Sequence, residues 1–313
     1  MMERNKRANS FDVVGVGYCA SDFLGVVPKY PEADTKVQML DFTRQGGGPV
    51  ATAMVTLARL GAKVSFIGKV GDDELGRWML DSLQKEGVCV EKTIVQPNAL
   101  SQISFIAIEK ETGTRTIFWT RGEVSCLTSN DLDREYVTDC RVLHVDGIEM
   151  EAAITAAQWA NEAGILVSFD AGSVRPGMEI LIEYADILAA SEQFAFDFTG
   201  LRDPTEAARK MLNGRRRWSV VTCGDRGCYC AEAAGTFHVP AFEVDVVDTT
   251  GAGDVFHGGL VFGVLKGWNL ITSATFAGAV AALKCTKLGG RAGIPNLETV
   301  TTFLKARRQM PPE

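Results

Sequence analysis

Asp248-Thr-Thr-Gly-Ala-Gly-Asp254, running straight into Val255-Phe-His-Gly-Gly-Leu-Val-Phe-Gly-Val-Leu265, is the stretch whose reading decides the fold. It reads as a strand, a turn of small residues and then an apolar helix. Gly251, Ala252 and Gly253 carry almost no side chain, so their N–H groups can approach a ligand closely. A helix beginning there also aims its unpaired N–H groups and the positive end of its dipole at the turn. Such a turn is an anion site. A carboxylate at its edge, Asp254, would repel a bound anion unless it had work to do, such as accepting the proton of an attacking hydroxyl. An N-capping aspartate behind an ordinary glycine turn is the competing reading, so the rest of the chain has to decide.

The 313 residues are 46% apolar and 23% charged, enough to bury a full core in one large α/β domain or two smaller ones. A net charge of −7 lacks the cationic footprint that nucleic acid or an anionic membrane surface requires. The run Arg215-Arg-Arg217 reads as a solvated helix end. No stretch approaches a membrane span, and Met1 to Ser10 is polar without an apolar signal core, so a cytoplasmic location is expected. The eight cysteines include no Cys-x-x-Cys pair and suit reduced thiols; the Cys223, Cys228, Cys230 and His238 group has poor spacing for zinc.

From the amino terminus, Phe11 to Gly17 suits a buried first strand. Gly15-x-Gly17-x-x-Ala20 imitates a dinucleotide fingerprint, but Pro28 and Pro31 arrive where that motif needs a helix. Val26-Val27 and Lys36 to Thr43 instead read as strands. Gln45-Gly-Gly-Gly-Pro49 breaks the pattern ahead of a helix from Val50 to Leu60, stopped by Gly61. A strand from Val64 to Val70 and a helix from Glu74 to Glu86 continue the βα grammar. Cys89 to Val95, Ser101 to Ile108 and Arg115 to Trp119 are strand-like, with turns at Gln96-Pro-Asn98 and Glu111-Thr-Gly113. Together with the Val26 and Lys36 strands they are expected to form a small lid sheet, drawn from residues 22–45 and 88–121 and inserted into a core spanning 11–313. The alternation then resumes with strands at Val142, Ile165, Ile187 and Ser219, helices at Met150 and Pro204, and a hairpin over Cys228 to Val239. Three helices, at Val255, Leu270 and Leu297, close the chain.

Two glycine-rich helix starts, at 46–48 and 251–253, and acids at Asp22 and Asp254 suit phosphoryl transfer, while Walker and protein-kinase signatures are absent. Asp-Thr-Thr-Gly-Ala-Gly-Asp-Val-Phe-His-Gly-Gly-Leu260 resembles the signature of the ribokinase-like (PfkB) carbohydrate kinases, and the resemblance extends from about Phe11 to Pro295. It implies a three-layer α/β/α core with a mostly parallel central sheet plus a small β-sheet lid, ATP and Mg²⁺ as cofactors, and a sugar as acceptor. It makes Asp254 the general base, a role worth about 10²–10⁴ in rate. It makes Gly251, Ala252 and Gly253 the anion hole, whose preorganised donors are worth about 3–4 kcal/mol each. Asp22 and Gly46, Gly47 and Gly48 match the sugar-binding positions; Thr222, Gly224 and Gly227 match the nucleotide strand and loop, and Gly289-Gly290 the loop flanking adenine.

The departures are specific. Ala51 stands where the family has Asn, and the magnesium motif is reduced to Ser191-Glu192-Gln193-Phe194, leaving Glu192 as the candidate holder of a Mg²⁺-bound water. Asp248 and Thr250 occupy positions that in relatives help form a monovalent-cation site, which raises the question of K⁺. Gly46-Gly-Gly-Pro-Val-Ala-Thr-Ala53 and Ala282-Leu-Lys-Cys-Thr-Lys-Leu-Gly-Gly-Arg-Ala-Gly-Ile-Pro295 look most like the sulfofructose kinase branch. That branch implies a ketohexose, possible 6-deoxy-6-sulfofructose included, with Arg121 available to an anionic tail and no arginine in Val145 to Glu149. A nucleoside kinase and a non-catalytic sugar- or nucleotide-binding homologue are the alternatives. Ile103, Phe105, Ile117 and Trp119 are expected to form one apolar lid face that pairs two copies into a homodimer.

Overall fold

Short apolar runs rich in Val and Ile alternate with Ala-rich helices, and this alternation builds a parallel sheet covered on both faces. The computed structural model describes residues 10–112, 114–212 and 214–309. The reading of the amino-terminal segment therefore lies outside the described residues as far as residue 9, as does Gly113 of the lid turn.

In chain order, β1 (Phe11–Val16) leads to β2 (Ala20–Val27), β3 (Asp41–Gly47), α1 (Pro49–Arg59), β4 (Val64–Ile67), β5 (Lys69–Gly71), α2 (Glu74–Lys85) and β6 (Ile94–Gln96). A hairpin of β7 (Ile103–Glu109) and β8 (Arg115–Thr120) comes next, followed by α3 (Arg134–Val137), β9 (Cys140–Val145), α4 (Met150–Ala163), β10 (Leu166–Ala171) and α5 (Met178–Tyr184). The chain continues with β11 (Ile187–Ser191), α6 (Glu192–Thr199), α7 (Pro204–Met211), β12 (Trp218–Thr222), β13 (Cys228–Glu232) and β14 (Gly235–Val239). It ends with α8 (Ala252–Leu265), α9 (Leu270–Cys285) and α10 (Leu297–Ala306).

The main sheet has the order β14-β13-β12-β11-β10-β9-β1-β4; β12 to β4 run parallel, and β13 and β14 form an antiparallel edge. One face is covered by α3 to α7, where Ala152, Ala153, Ala156, Ala157 and Ala160 give α4 a small-residue stripe that lies close to the strands. The other face carries α1, α8, α9 and α10. There the two glycines of the opening motif have a packing role. A Cβ on Gly258 would sit 2.7 Å from Thr56 of α1, and one on Gly259 would sit 2.8 Å from the Ala277 backbone of α9. Close three-helix contact is what holds α8 with its first turn at the carboxyl edge of the sheet.

A second sheet, β3-β2-β7-β8, forms the lid. Several sequence expectations change here. Lys36 to Leu40 is not strand, and β3 begins at Asp41 and runs into Gly46 and Gly47, so two of the three glycines belong to the strand. Of the expected Cys89–Val95 strand only Ile94 and Val95 lie in a strand, as the start of β6, which pairs with β5 in a separate ribbon rather than joining the lid. The strand expected before the Asp248 turn does not form either, because the Val247 and Asp248 N–H groups donate to Cys285 O at 2.8 and 3.2 Å.

The four apolar lid residues also fail to share a face. Trp119 pairs with Ser104 and Ile117 with Ile106, the side that carries Asp22, whereas Phe105 pairs with Phe118 on the opposite side. The register across the β7–β8 hairpin sets this division, because cross-strand partners project to the same side. The outer face is instead Phe23 with Phe42, at a ring separation of 6.3 Å, and Phe105 with Phe118, at 6.4 Å. Among the described residues no helix is long and apolar enough to cross a membrane.

Candidate active site

The turn from Asp248 to Asp254 is closed from behind by its own first residue. Asp248 Oδ1 accepts from the Thr250 N–H at 2.9 Å and the Thr250 hydroxyl at 2.7 Å, and Oδ2 accepts from the Gly289 N–H at 2.8 Å. Lys284 Nζ donates to the Asp248 carbonyl at 2.8 Å. Gly251 then caps α8 at φ 72°, a left-handed conformation that favours glycine. The Ala252 N–H turns back to Thr249 O at 3.1 Å. Of the three small residues, Ala252 thus spends its donor inside the turn. Helix geometry leaves the Gly253 and Asp254 N–H groups without an i−4 carbonyl inside α8, at the positive end of the helix dipole.

Asp254 is half-buried in that first turn. Desolvation pushes its carboxyl up to about 7, the charge of Asp170 adds to this, and His257 opposes it. His257 lies one turn further along α8, with Nε2 3.1 Å from Asp170 Oδ1, both groups buried at the centre of the protein. Burial favours neutral His257, but the facing Asp170 carboxylate outweighs it and raises the imidazole pKa. Beside them, burial drives His144 down to about 3, so it is neutral, with Nδ1 3.2 Å from Ser168 Oγ.

The lid supplies the second wall. Asp22 on β2 stands in one cross-strand row with Gln45, Ser104 and Trp119. Burial pushes its carboxyl up to about 6, against the Ser104 hydroxyl and the Arg291 guanidinium. Gly47 makes room for it: a Cβ there would lie 2.0 Å from Asp22 Oδ2. Arg291 is buried on the opposite side of β3, donating from Nη2 to Gly47 O at 2.9 Å, and Gly46 leaves space for its guanidinium. Gln45 stitches the lid to the 288–292 loop, accepting from the Arg291 and Ala292 N–H groups at 3.1 and 3.0 Å and donating to Leu288 O at 2.9 Å. Gly48, at φ 90°, leads directly into α1. Arg121 is committed elsewhere, since it pairs with buried Glu149 at 2.6 Å.

On the far side of the turn a largely apolar cavity of about 450 Å³ is lined by Thr222, Gly224 and Gly227 together with Ala252, Gly253 and Phe256. The structure therefore brings the sequence-derived loop at 222–227 against the start of α8. Gly289 and Gly290 sit on the other flank: Gly289 donates to Asp248, and Gly290 packs on Gly251. Glu192 opens α6 beside Ser191 and Thr222 and forms an ion pair with Arg226. Phe194, where the family has its second acid, is fully buried in the core because the phase of α6 turns it inward.

Sequence reasoning missed Arg115, whose Nη1 ties the lid to Thr249 Oγ1 at 2.8 Å, as well as Arg291, Ser104, His257 and Lys284. A single lysine in the apolar run Ala281-Ala-Leu-Lys284 and an arginine straight after Gly289-Gly290 were visible signals for two of them.

A model of the pfkB family carbohydrate kinases matches residues 10–297. The chain belongs to that family. Among its relatives, the 5-dehydro-2-deoxygluconokinase of Clostridium perfringens is 27% identical over 96% of this chain and 94% of its own length. Fructokinase-2 of Zea mays is 30% identical over 83% of this chain and 84% of its own. An E. coli chain described as a ribokinase II, solved with ATP and Mg²⁺, has the same fold, with a TM-score of 0.84 at 22% identity over 95% of this chain and 99% of that one. The pfkB chain described here is accordingly an ATP-dependent sugar kinase with a ribokinase-like fold.

Proposed function

We propose that this kinase transfers the γ-phosphate of ATP to a hydroxyl of a ketohexose, with Asp254 as the general base and the helix start after Gly251, through its Gly253 and Asp254 N–H groups, as the anion hole. The observation that carries the reading is the position of Asp254. It stands in the first turn of α8, whose neighbours Ala252 and Gly253 line the 450 Å³ cavity, and it is near enough to the lid for the charge of Asp22 to act on it. The acceptor hydroxyl gives its proton to the Asp254 carboxylate while its oxygen bonds to the γ-phosphorus and the bond to ADP breaks. Charge on the phosphoryl oxygens meets the Gly253 and Asp254 N–H groups, with Arg115 at the lid edge as a further cation. Asp22 and the 46–48 glycines hold sugar hydroxyls, and Thr222, Gly224 and Gly227 hold the nucleotide.

Mg²⁺ neutralises phosphate charge when bound with ATP. Among the described residues no cluster of three potential ligands is present, which suits a Mg²⁺ held through phosphates and water. Glu192, at the start of α6 beside Thr222, would be the carboxylate that faces such a water.

The Asp254 carboxyl must be ionised to act as base. With its pKa near 7, kcat/KM falls on the acid side of about pH 7, approaching a tenfold loss per unit, and levels off above it. Asp254→Asn is expected to lower kcat by about 10² or more while leaving MgATP affinity within about threefold. An unchanged rate in stopped or coupled assays would remove Asp254 from this role.

The acceptor reading rests on the fructokinase relatives and on the polar row around Asp22. Arg121, already neutralised by Glu149, favours an uncharged ketohexose over the 6-sulfonated one. Initial rates with fructose, 6-deoxy-6-sulfofructose, ribose and adenosine are expected to give fructose the highest kcat/KM; a preference for adenosine would favour a nucleoside kinase.

The outer aromatic face of the lid, with Phe42 and Phe118 each about half exposed, is proposed as a homodimer contact. Light scattering should give twice the chain mass for the native protein and a smaller mass for Phe118→Glu; a monomeric native protein would exclude the contact.

A further inference from the structure

Lys284 stands in the last turn of α9 with no exposed surface, directly behind the turn that opens α8. An ammonium withdrawn from water needs compensation, and a methionine would fill the same space without that cost. Its hydrogen-bond acceptor is the Asp248 carbonyl at 2.8 Å. Three neighbouring contacts fix that arrangement. Cys285 O takes the Val247 and Asp248 N–H groups, the Asp248 carboxylate is consumed by Thr250 and Gly289, and Gly293 packs on the Lys284 backbone so closely that a Cβ would lie 2.2 Å from its carbonyl oxygen. The charged groups acting on Lys284 are Asp248 and Asp254, which favour the ammonium, and Arg115, which opposes it.

This arrangement decides whether a monovalent cation fits at Asp248 and Thr250. A bound cation needs several free oxygens around one point. All three Asp248 oxygens already accept hydrogen bonds, one of them from a built-in cation, and the Thr250 hydroxyl donates to Asp248. The donor set does not fit K⁺. We infer that Lys284 supplies from within the chain the positive charge behind the anion-hole turn, so that this kinase binds MgATP and turns over without a monovalent cation. Lys284 is a positioning residue. It holds the Asp248 carbonyl and, through the turn, the helix-start donors, and its charge adds to theirs; the inference rests on the assignment of that turn to the phosphates of ATP.

The test compares MgATP affinity by calorimetry, and initial rates with fructose, in tetramethylammonium chloride and in KCl at equal ionic strength. For the native enzyme both are expected to agree within about twofold between the two salts, whereas an ion-requiring site would change them by about tenfold. Lys284→Ala, which opens the space of the ammonium and is checked for folding by circular dichroism, is expected to lose about tenfold in MgATP affinity and to regain part of it in KCl or NH₄Cl, which a merely structural lysine would not allow. A native enzyme stimulated more than about fivefold by K⁺ overturns the inference, as does a folded Lys284→Ala protein with native affinity in both salts. If that variant does not fold, the native comparison alone decides. Absence of MgATP binding in either salt would instead sink the kinase assignment of the turn, and the inference with it.

Discussion

The carboxylate of Asp248 is the fastening on which the site depends. Its two oxygens close the turn onto Thr250 and tie that turn to the 288–292 loop through Gly289, and its carbonyl rests on the buried ammonium of Lys284. With the turn closed, Gly251 can take its left-handed conformation and α8 can start with open donors at the edge of the sheet. The same loop is bound by Gln45 and Arg291 to lid strand β3, so the proposed acceptor wall and the turn share one support. Displacing the 288–292 loop would disturb both proposed sites together.

Buried acids predominate around this fastening. Asp22, Asp146 and Asp170 all act on Asp254, and burial raises the affinity of Asp22, Asp146 and Asp254 for protons. His257, Arg291 and Lys284 offset them from positions where none faces open solvent. A base of neutral pKa suits its task, because it is ionised at working pH and still basic enough to take a hydroxyl proton as the phosphoryl group departs.

How far the sequence reveals this depends on the kind of information. The run from Asp248 to Leu265 announced a small-residue turn followed by a helix because its signals are local: consecutive small residues, then an apolar run. The α4 boundaries at Met150 and Ala163 were equally legible from composition and a following glycine. The parallel sheet followed from the alternation of strands and helices. The lid was harder, since which side Trp119 and Phe118 face depends on hairpin register, and a single residue of slip exchanges the two faces. The strand expected before Asp248 failed for a tertiary reason, capture of its N–H groups by Cys285. Arg291 and Lys284 gain their importance from contacts some 240 and 36 residues away in sequence, with Gly47 and Asp248 respectively, which no local pattern encodes.

In the proposed mechanism the start of α8 holds the transferring phosphoryl group, and Asp254 stands between it and the acceptor. A crystal structure with Mg²⁺, a non-hydrolysable ATP analogue and fructose tests it most directly. γ-Phosphate oxygens are expected within hydrogen-bond distance of the Gly253 and Asp254 N–H groups, and one sugar hydroxyl within reach of both the γ-phosphorus and the Asp254 carboxylate. A γ-phosphate bound away from the α8 start, or a sugar with no hydroxyl near Asp254, would contradict it.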